Sequence, residues 1–403
     1  MYTDEKWMGL DPVCFSIRVF RIRFFSTADV DAADGTESAY AAGEVVVQFQ
    51  PGVKMSQKAM LHQEQNARVL SRNPQLGFEV VRVTDRSVSE AVRQYRQHPM
   101  VENVEPNDRF HAEGTPNDSL FSDQWNLERV KAPSAWNVTR GQGTRIAIVD
   151  TGVELNHPDL AGKIAPGYDF VEDDTTPEDG NGHGTHMAGI AAAVTDNGIG
   201  IASMAPDAEL IPVRVLDDNG SGTLSDVASG ITYAADQGAD VINLSLGSSQ
   251  SSSILEDAVN YAWNRESVIV AAAGGSGSTT PQYPASYTNA IAVAATDRND
   301  RVPNFSTRGD WVDAGAPGVD IPSTYIGGGY QSLSGSSTSA AHVSGLAALL
   351  ASQGRNPSNI LTAVEETGDP IPDQTFKRIN AYRAVMHEGG QLGRKMLNVH
   401  SNR

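Results

Sequence analysis

From Thr115 onward the chain alternates short, uninterrupted apolar runs with stretches of helical character: "RIAIVD", "HMAGIAAAV", "ELIPVRVL", "SDVASGITYAADQG", "DVINLSLG", "ILEDAVNYAWN", "VIVAAAGG" and "AIAVAAT". A strand with one wet face alternates polar and apolar residues, whereas a strand that is apolar throughout is covered on both sides. Such strands separated by helices predict an α/β unit, a doubly wound and mostly parallel sheet with helices on both faces. Ligands and chemistry collect at the carboxyl ends of the strands in sheets of this kind, so the search for a site starts there.

The 403 residues exceed what one small core needs. Residues 1–43 divide into a leader and a linker. "VCFSIRVFRIRFFSTA" has the cationic and apolar character of an export signal, but Arg18, Arg21 and Arg23 interrupt its apolar region; an unusual leader and a mis-assigned start both fit. "DVDAADGTESAYAAG", residues 29–43, is small, acidic and without period, as a flexible linker is. Residues 44–110 then read as strand "EVVVQF", helix 56–72, strand "FEVVRV", helix 87–98 and strand "VENVEPN", a small α+β domain. In its second helix Val88, Ala91, Val92 and Tyr95 mark one apolar face. Residues 115–385 form the α/β domain and 386–403 a C-terminal tail.

Charge separates these domains and limits partners. The whole chain carries a net charge of −19, which opposes nucleic acid as a partner because phosphate binding needs basic stripes. Residues 44–110 hold 9 basic against 8 acidic side chains, net +1, while 111–403 hold 17 against 34, net −17. A near-neutral domain can dock on an acidic one without repulsion. Cys14 is the only cysteine, which excludes an intramolecular disulfide and a thiolate metal cluster. No stretch approaches the roughly 18 apolar residues of a membrane span.

Three positions carry candidate chemistry. Asp150 closes the strand "RIAIVD", which places its carboxylate on the rim of the sheet; a turn residue or a ribose-binding acid would read the same way. His183 lies in "DGNGHGTHMAGIAAA", where glycines allow a helix start to pack close to the sheet and hold an imidazole at its mouth. His186 reads as a structural histidine of that helix, since the spacing lacks the glutamate of the zinc-protease pattern. Ser337 stands in "GSSTSAAHVSG" at the start of a helix whose buried face is Val343, Leu346, Ala347 and Leu350. The helix dipole and free N–H groups favour an oxyanion there, and an ordinary N-cap serine would look alike.

The order Asp, His, Ser on a doubly wound sheet is that of the subtilisin arrangement. "IAIVDTGVELNHPDL", "NGHGTHMAGIAAAV" and "LSGSSTSAAHVSGLAALL" resemble the three motif blocks of the subtilisin-like serine proteases (subtilases), nearest to the thermitase branch. The likeness runs through most of 115–385, and 44–110 resembles the ferredoxin-like inhibitory propeptide of the same family. The resemblance implies a secreted, monomeric serine endopeptidase made as an autoprocessed proenzyme. Ser337 would be the nucleophile, His183 the general base and acid, and Asp150 the group that orients the imidazole. It implies extended polypeptide substrates that pair as a strand with Gly220, Ser221, Gly222 and Leu224 on one side and Ser245, Leu246 and Gly247 on the other. Ala272 and Gly274 would form part of the pocket wall. It implies calcium at Asp118, Asp159 and Asn197 with the carbonyls of Val194, Ile199 and Ile201, and a second calcium at Asp169, Asp174 and Thr176.

Two departures stand out against that pattern. The family's oxyanion-hole asparagine falls at Gly275 in "VIVAAAGGSGS", leaving Ser276 as a hydroxyl nearby. Around the nucleophile, Ser336, Thr338, Ser339 and Ala341 replace the usual threonine, methionine, alanine and proline. These changes predict a slower enzyme or, alternatively, a catalytically impaired pseudoprotease that binds peptides.

Overall fold

The computed structural model describes residues 40–108 and 115–387. The leader, most of the 29–43 linker and the 388–403 tail lie outside the described residues. The chain divides into two compact units, with the division between Gly114 and Thr115.

In the N-terminal unit the elements run β1 (Tyr40–Phe49), α1 (Met55–Glu64), β2 (Arg68–Asn73), β3 (Phe78–Arg82), α2 (Val88–Arg96) and β4 (Val101–Asp108). The strands form one antiparallel sheet in the order β2-β3-β1-β4, the ferredoxin-like arrangement. Val45, Val47 and Phe49 of β1 pack with Leu61 of α1 and with Val88, Ala91 and Tyr95 of α2. Helix α2 begins because Ser87 Oγ accepts from Glu90 N–H at 3.2 Å. The helix expected over 56–72 is two elements instead. It stops at Glu64, Asn66 adopts a left-handed φ of 46°, and the chain returns as β2 with Val69 opposite Val81. Strand β2 is an edge strand that is exposed along most of its length, so its sequence carries no buried period to announce it.

The C-terminal unit opens with two short helices, α3 (Trp125–Arg129) and α4 (Ala132–Trp136). Then follow β5 (Arg145–Asp150), β6 (Tyr168–Asp169), α5 (His183–Ala192), β7 (Glu209–Arg214), α6 (Leu224–Asp236), β8 (Val241–Leu244), α7 (Ser253–Trp263), β9 (Val268–Ala272), β10 (Ile291–Thr296) and β11 (Ala314–Pro317). A hairpin of β12 (Ile321–Tyr325) and β13 (Gly329–Leu333) precedes α8 (Ser336–Ala351) and α9 (Pro357–Thr367). Short strands β14 (Asp369–Pro370) and β15 (Lys377–Arg378) and helix α10 (Ala381–Met386) end the described chain.

Nine strands make one sheet in the order β14-β15-β11-β10-β9-β8-β5-β7-β6, parallel except for the β14–β15 edge. Alternate residues of β5 serve opposite layers. Ile146 and Ile148 pack toward α5 and α8, whereas Ala147 and Val149 pack toward α6 and α7. That two-sided burial is why the strands read as unbroken apolar runs. From β5 the chain goes to the sheet edge at β6, fills in β7 between β6 and β5, then places β8 on the other side of β5 and continues through β9, β10 and β11. The order therefore reverses between β5 and β8, and a crevice opens beyond their carboxyl ends.

Candidate active site

Asp150 is the last residue of β5 and is fully buried. Its Oδ1 accepts from Thr151 N–H at 2.8 Å and faces His183 Nδ1 at 2.7 Å. His183 is the first residue of α5, and its side chain remains 29% exposed at the crevice. Two glycines make that approach possible. Gly182, the N-cap, has a φ of 101°, and a Cβ on Gly184 would stand 2.0 Å from the Gly152 carbonyl, so any larger residue would push the helix start off the sheet. Burial by itself would lower the His183 pKa, but the Asp150 charge and hydrogen bond, with a smaller contribution from Asp179, hold it above the usual value.

His186, one turn further along, is fully buried with Nε2 on the carbonyls of Ile321 and Gln331. Burial pushes its pKa down to about 4, as suits a neutral structural histidine.

Ser337 is the second residue of α8. Its Oγ donates to the Ser245 carbonyl at 3.2 Å, and Ser245 Oγ donates in turn to the Ser337 carbonyl at 3.0 Å. Behind this clamp, Asn243 Nδ2 donates to Ser245 Oγ, and Ser344 Oγ donates to Asn243 Oδ1, each at 3.0 Å. The structure thus joins Asp150 to His183 directly and holds the Ser337 hydroxyl on Ser245. Rotation about χ1 is what would turn Oγ from one partner to another.

The neighbouring hydroxyls are all engaged. Ser336 Oγ accepts from Gly274 N–H at 3.0 Å, Thr338 donates to the Gly335 carbonyl at 2.8 Å, and Ser339 donates to the Ala316 carbonyl at 2.9 Å. The polar substitutions around the nucleophile are therefore paired locally and fasten α8 to the ends of β9 and β11. Gly275 is exposed, and a Cβ built there meets nothing within 4 Å. Ser276 Oγ is committed to the hydroxyls of Ser278 and Thr307.

A groove of about 720 Å³ runs past His183. Gly220, Ser221, Gly222 and Leu224 line one wall, and Ser245, Leu246 and Gly247 another, whereas Ala272 and Gly274 stand outside its lining. The sequence did not single out Leu216, Val227, Leu255 and Tyr283, which make part of the groove apolar. Val227 and Leu255 belong to the buried faces of α6 and α7, where groove lining and core share one periodic signal.

The two acidic sets differ. Asp118 and Asp159 are buried, and desolvation raises the pKa of both. Asp118 accepts from Asp196 N–H, and Asp159 accepts from Asn197 Nδ2 at 2.7 Å and Ile201 N–H at 2.9 Å. The Asp118 charge adds to the upward push on Asp159. Among the described residues neither forms an ion pair with lysine or arginine, and the nearest positive influence on Asp159 is His157, a minor one. Carboxylate, amide and carbonyl oxygens are the donors a hard cation takes, but among the described residues no group of three or more His, Asp or Glu side chains is gathered to hold a metal ion. The second set has a different partner. Asp169 Oδ2 pairs with Arg214 Nη1 at 2.6 Å and its Oδ1 caps Val171 and Glu172, while Asp174 Oδ1 accepts from Thr176 N–H.

Comparison with known proteins agrees with this fold. The subtilase family (peptidase S8) matches residues 141–379, and the fervidolysin N-terminal prodomain matches residues 26–107. A thermophilic serine proteinase from a Bacillus species is 50% identical over 359 residues, covering 87% of this chain and 89% of that protein. Thermitase from Thermoactinomyces vulgaris is 59% identical over 278 residues, covering 68% of this chain and 100% of thermitase. Among solved structures, a protease from Pseudoalteromonas arctica is similar at a TM-score of 0.65 and 32% identity, covering 68% of this chain and 99% of that one. The chain belongs to the subtilase family: it is a subtilisin-like serine peptidase with an N-terminal prodomain.

Proposed function

We propose that this peptidase cuts polypeptides with Asp150, His183 and Ser337 as its triad. The observation that carries the assignment is the 2.7 Å contact of His183 Nδ1 with a buried carboxylate at the end of β5. That contact fixes the imidazole with Nε2 free to take a proton. With substrate bound, Ser337 Oγ leaves the Ser245 carbonyl, transfers its proton to His183 Nε2 and attacks the scissile carbonyl. The imidazolium is stabilised by Asp150 and returns the proton to the leaving amine; water then releases the acyl group by the same steps in reverse.

The negative oxygen formed on attack is met by N–H donors at the start of α8, Ser337 N–H among them. Gly275 supplies no side-chain donor, and Ser276 is held elsewhere. Loss of one such donor costs on the order of 10²- to 10³-fold in turnover, which makes this a slow peptidase rather than an inert one. An extended substrate pairs as a strand with 220–224 and 245–247, and the leucines of the groove favour apolar side chains.

Residues 44–110 act as the intramolecular inhibitor and folding aid of a proenzyme, which is cut between 107 and 115, a stretch only partly within the described residues. The active form works outside the cell as a monomer; among the described residues no helix is long and apolar enough to cross a membrane. Asp118, Asp159 and Asn197, with the carbonyls of Val194, Ile199 and Ile201, would hold one calcium, which would supply charge neutralisation to a buried acidic pair. Fluorophosphonate labelling followed by peptide mapping tests the triad. A single adduct on Ser337, absent in Ser337→Ala, is expected, and an unlabelled but folded chain would refute it.

A further inference from the structure

Asp179 stands four residues ahead of His183 and is only 6% exposed. Its carboxylate accepts five hydrogen bonds. Thr151 Oγ1 at 2.8 Å, Asn181 N–H at 3.0 Å and Gly182 N–H at 2.9 Å reach Oδ1. Thr185 N–H at 2.9 Å and Thr185 Oγ1 at 2.6 Å reach Oδ2. Every contact is a donor, the pattern that a carboxylate accepts and an amide cannot reproduce. Two consequences follow for the site.

The first is geometric. Three of the donors are backbone N–H groups on either side of His183, so Asp179 caps the start of α5. Of the two side-chain donors, one is Thr151, the residue after Asp150. Thr151 Oγ1 also accepts from Gly184 N–H at 3.0 Å, and Thr151 N–H donates to Asp150 Oδ1 at 2.8 Å. The contacts close a ring: Asp179 to Thr151, Thr151 to Asp150, Asp150 to His183, and the His183 backbone segment to Asp179. The second consequence is electrostatic. The charge of Asp179 adds to that of Asp150 in favouring a protonated His183. Other titratable groups near this segment are Asp218, which lies against Gly180 and pairs with Arg214, Tyr325, whose Oη donates to the Asn181 carbonyl, and His186 on the next turn of α5, which burial keeps neutral.

We propose that Asp179 is a positioning residue of the reaction, a buried carboxylate that locks the start of α5 to the turn after β5 and keeps a second negative charge beside the imidazole. Resting on the triad reading above, the assignment separates two effects, and two substitutions separate them in turn. Asp179→Asn keeps the shape, removes the charge and turns a donor toward Thr185. Thr151→Ala keeps the charge and cuts the link to Asp150.

The test measures kcat, KM and the pH profile of kcat/KM for purified active enzyme on a chromogenic p-nitroanilide peptide with apolar residues. Asp179→Asn lowers kcat by about 10- to 100-fold with KM within about twofold, and the acid limb of kcat/KM moves to lower pH because the imidazolium has lost a stabilising charge. Thr151→Ala lowers kcat by about tenfold and leaves the acid limb in place, and Thr151→Ser restores kcat. A role limited to folding would leave the acid limb unmoved. The proposal is overturned if Asp179→Asn keeps both the wild-type kcat and the wild-type limb. Should that variant not fold, it is overturned if Thr151→Ala and Thr151→Ser have equal kcat. Wild-type enzyme that takes no fluorophosphonate on Ser337 would instead remove the triad reading on which the proposal stands.

Discussion

Each unit of this chain buries a histidine against a carboxylate, and the two pairs titrate in opposite directions. In the N-terminal unit His62 is 2% exposed, with Nε2 3.1 Å from Glu79 Oε2 and Nδ1 2.8 Å from Tyr95 Oη. Burial dominates there and holds the His62 pKa below the ordinary value despite the Glu79 contact. In the C-terminal unit the Asp150 field overcomes burial and holds His183 above it. The difference lies in what else the carboxylate serves. Glu79 also faces Arg72 at 3.3 Å and Lys58 at 4.0 Å, and both cations push His62 down. Among the described residues Asp150 is otherwise hydrogen-bonded only by a backbone N–H, and Asp179 stands behind it through Thr151. A carboxylate beside a histidine makes a proton acceptor only when its charge is not already matched.

Breaking the second pair gives the largest effect. Asp150→Asn, assayed on a peptide substrate, lowers kcat by about 10⁴-fold, because the imidazole loses both its orientation and the charge that stabilises its protonated form.

Next comes the side of the site that lacks an electrostatic partner. Gly275→Asn adds a side chain where a Cβ meets no atom within 4 Å, and an amide that reaches the developing oxyanion raises kcat by on the order of 10²-fold. Unchanged kcat in a folded Gly275→Asn variant would show that the slow step lies elsewhere.

A smaller effect tests the first pair. The folded His62 pKa lies below the unfolded one, so as pH falls below about 6.5 the unfolded chain takes up the proton first and the N-terminal unit loses stability. One proton changes the opening equilibrium by at most about tenfold per pH unit. Hydrogen exchange of β1 and α2 in full-length Ser337→Ala should show that acid sensitivity, and adding His62→Gln should flatten it. The smallest effect is a conversion. Replacing Lys58 and Arg72 by alanine frees the Glu79 charge, and the His62 titration followed by NMR moves upward, toward the behaviour of His183. No movement would mean that burial alone sets it.

The uneven legibility of these pairs has a physical cause. Asp150 was visible because β5 is an unbroken apolar run that ends on an acid, and His183 because glycines crowd a helix start. Ser337 was visible because it begins a helix with an apolar face. The His62 pair was not, since Glu79 lies inward on β3 with its partners in α1 and β2, and no short motif records a contact between elements. Strand β2 was read as helix because an edge strand buries too little to leave a period. No motif marks Asp179, and its place emerges only when five donors from separate segments converge on it. The same holds for Asp169, whose partner Arg214 lies 45 residues away in sequence, a contact that no local motif records.

Ser337 acts through His183 and Asp150 in the reading proposed above, and maturation measures that most directly. Intact mass of the purified full-length chain, followed over time beside Ser337→Ala, should show the wild type losing a fragment that ends between residues 107 and 115 while the variant keeps its full mass. Equal cleavage of both chains at that stretch, or a folded wild type that never processes itself or any peptide, would contradict it.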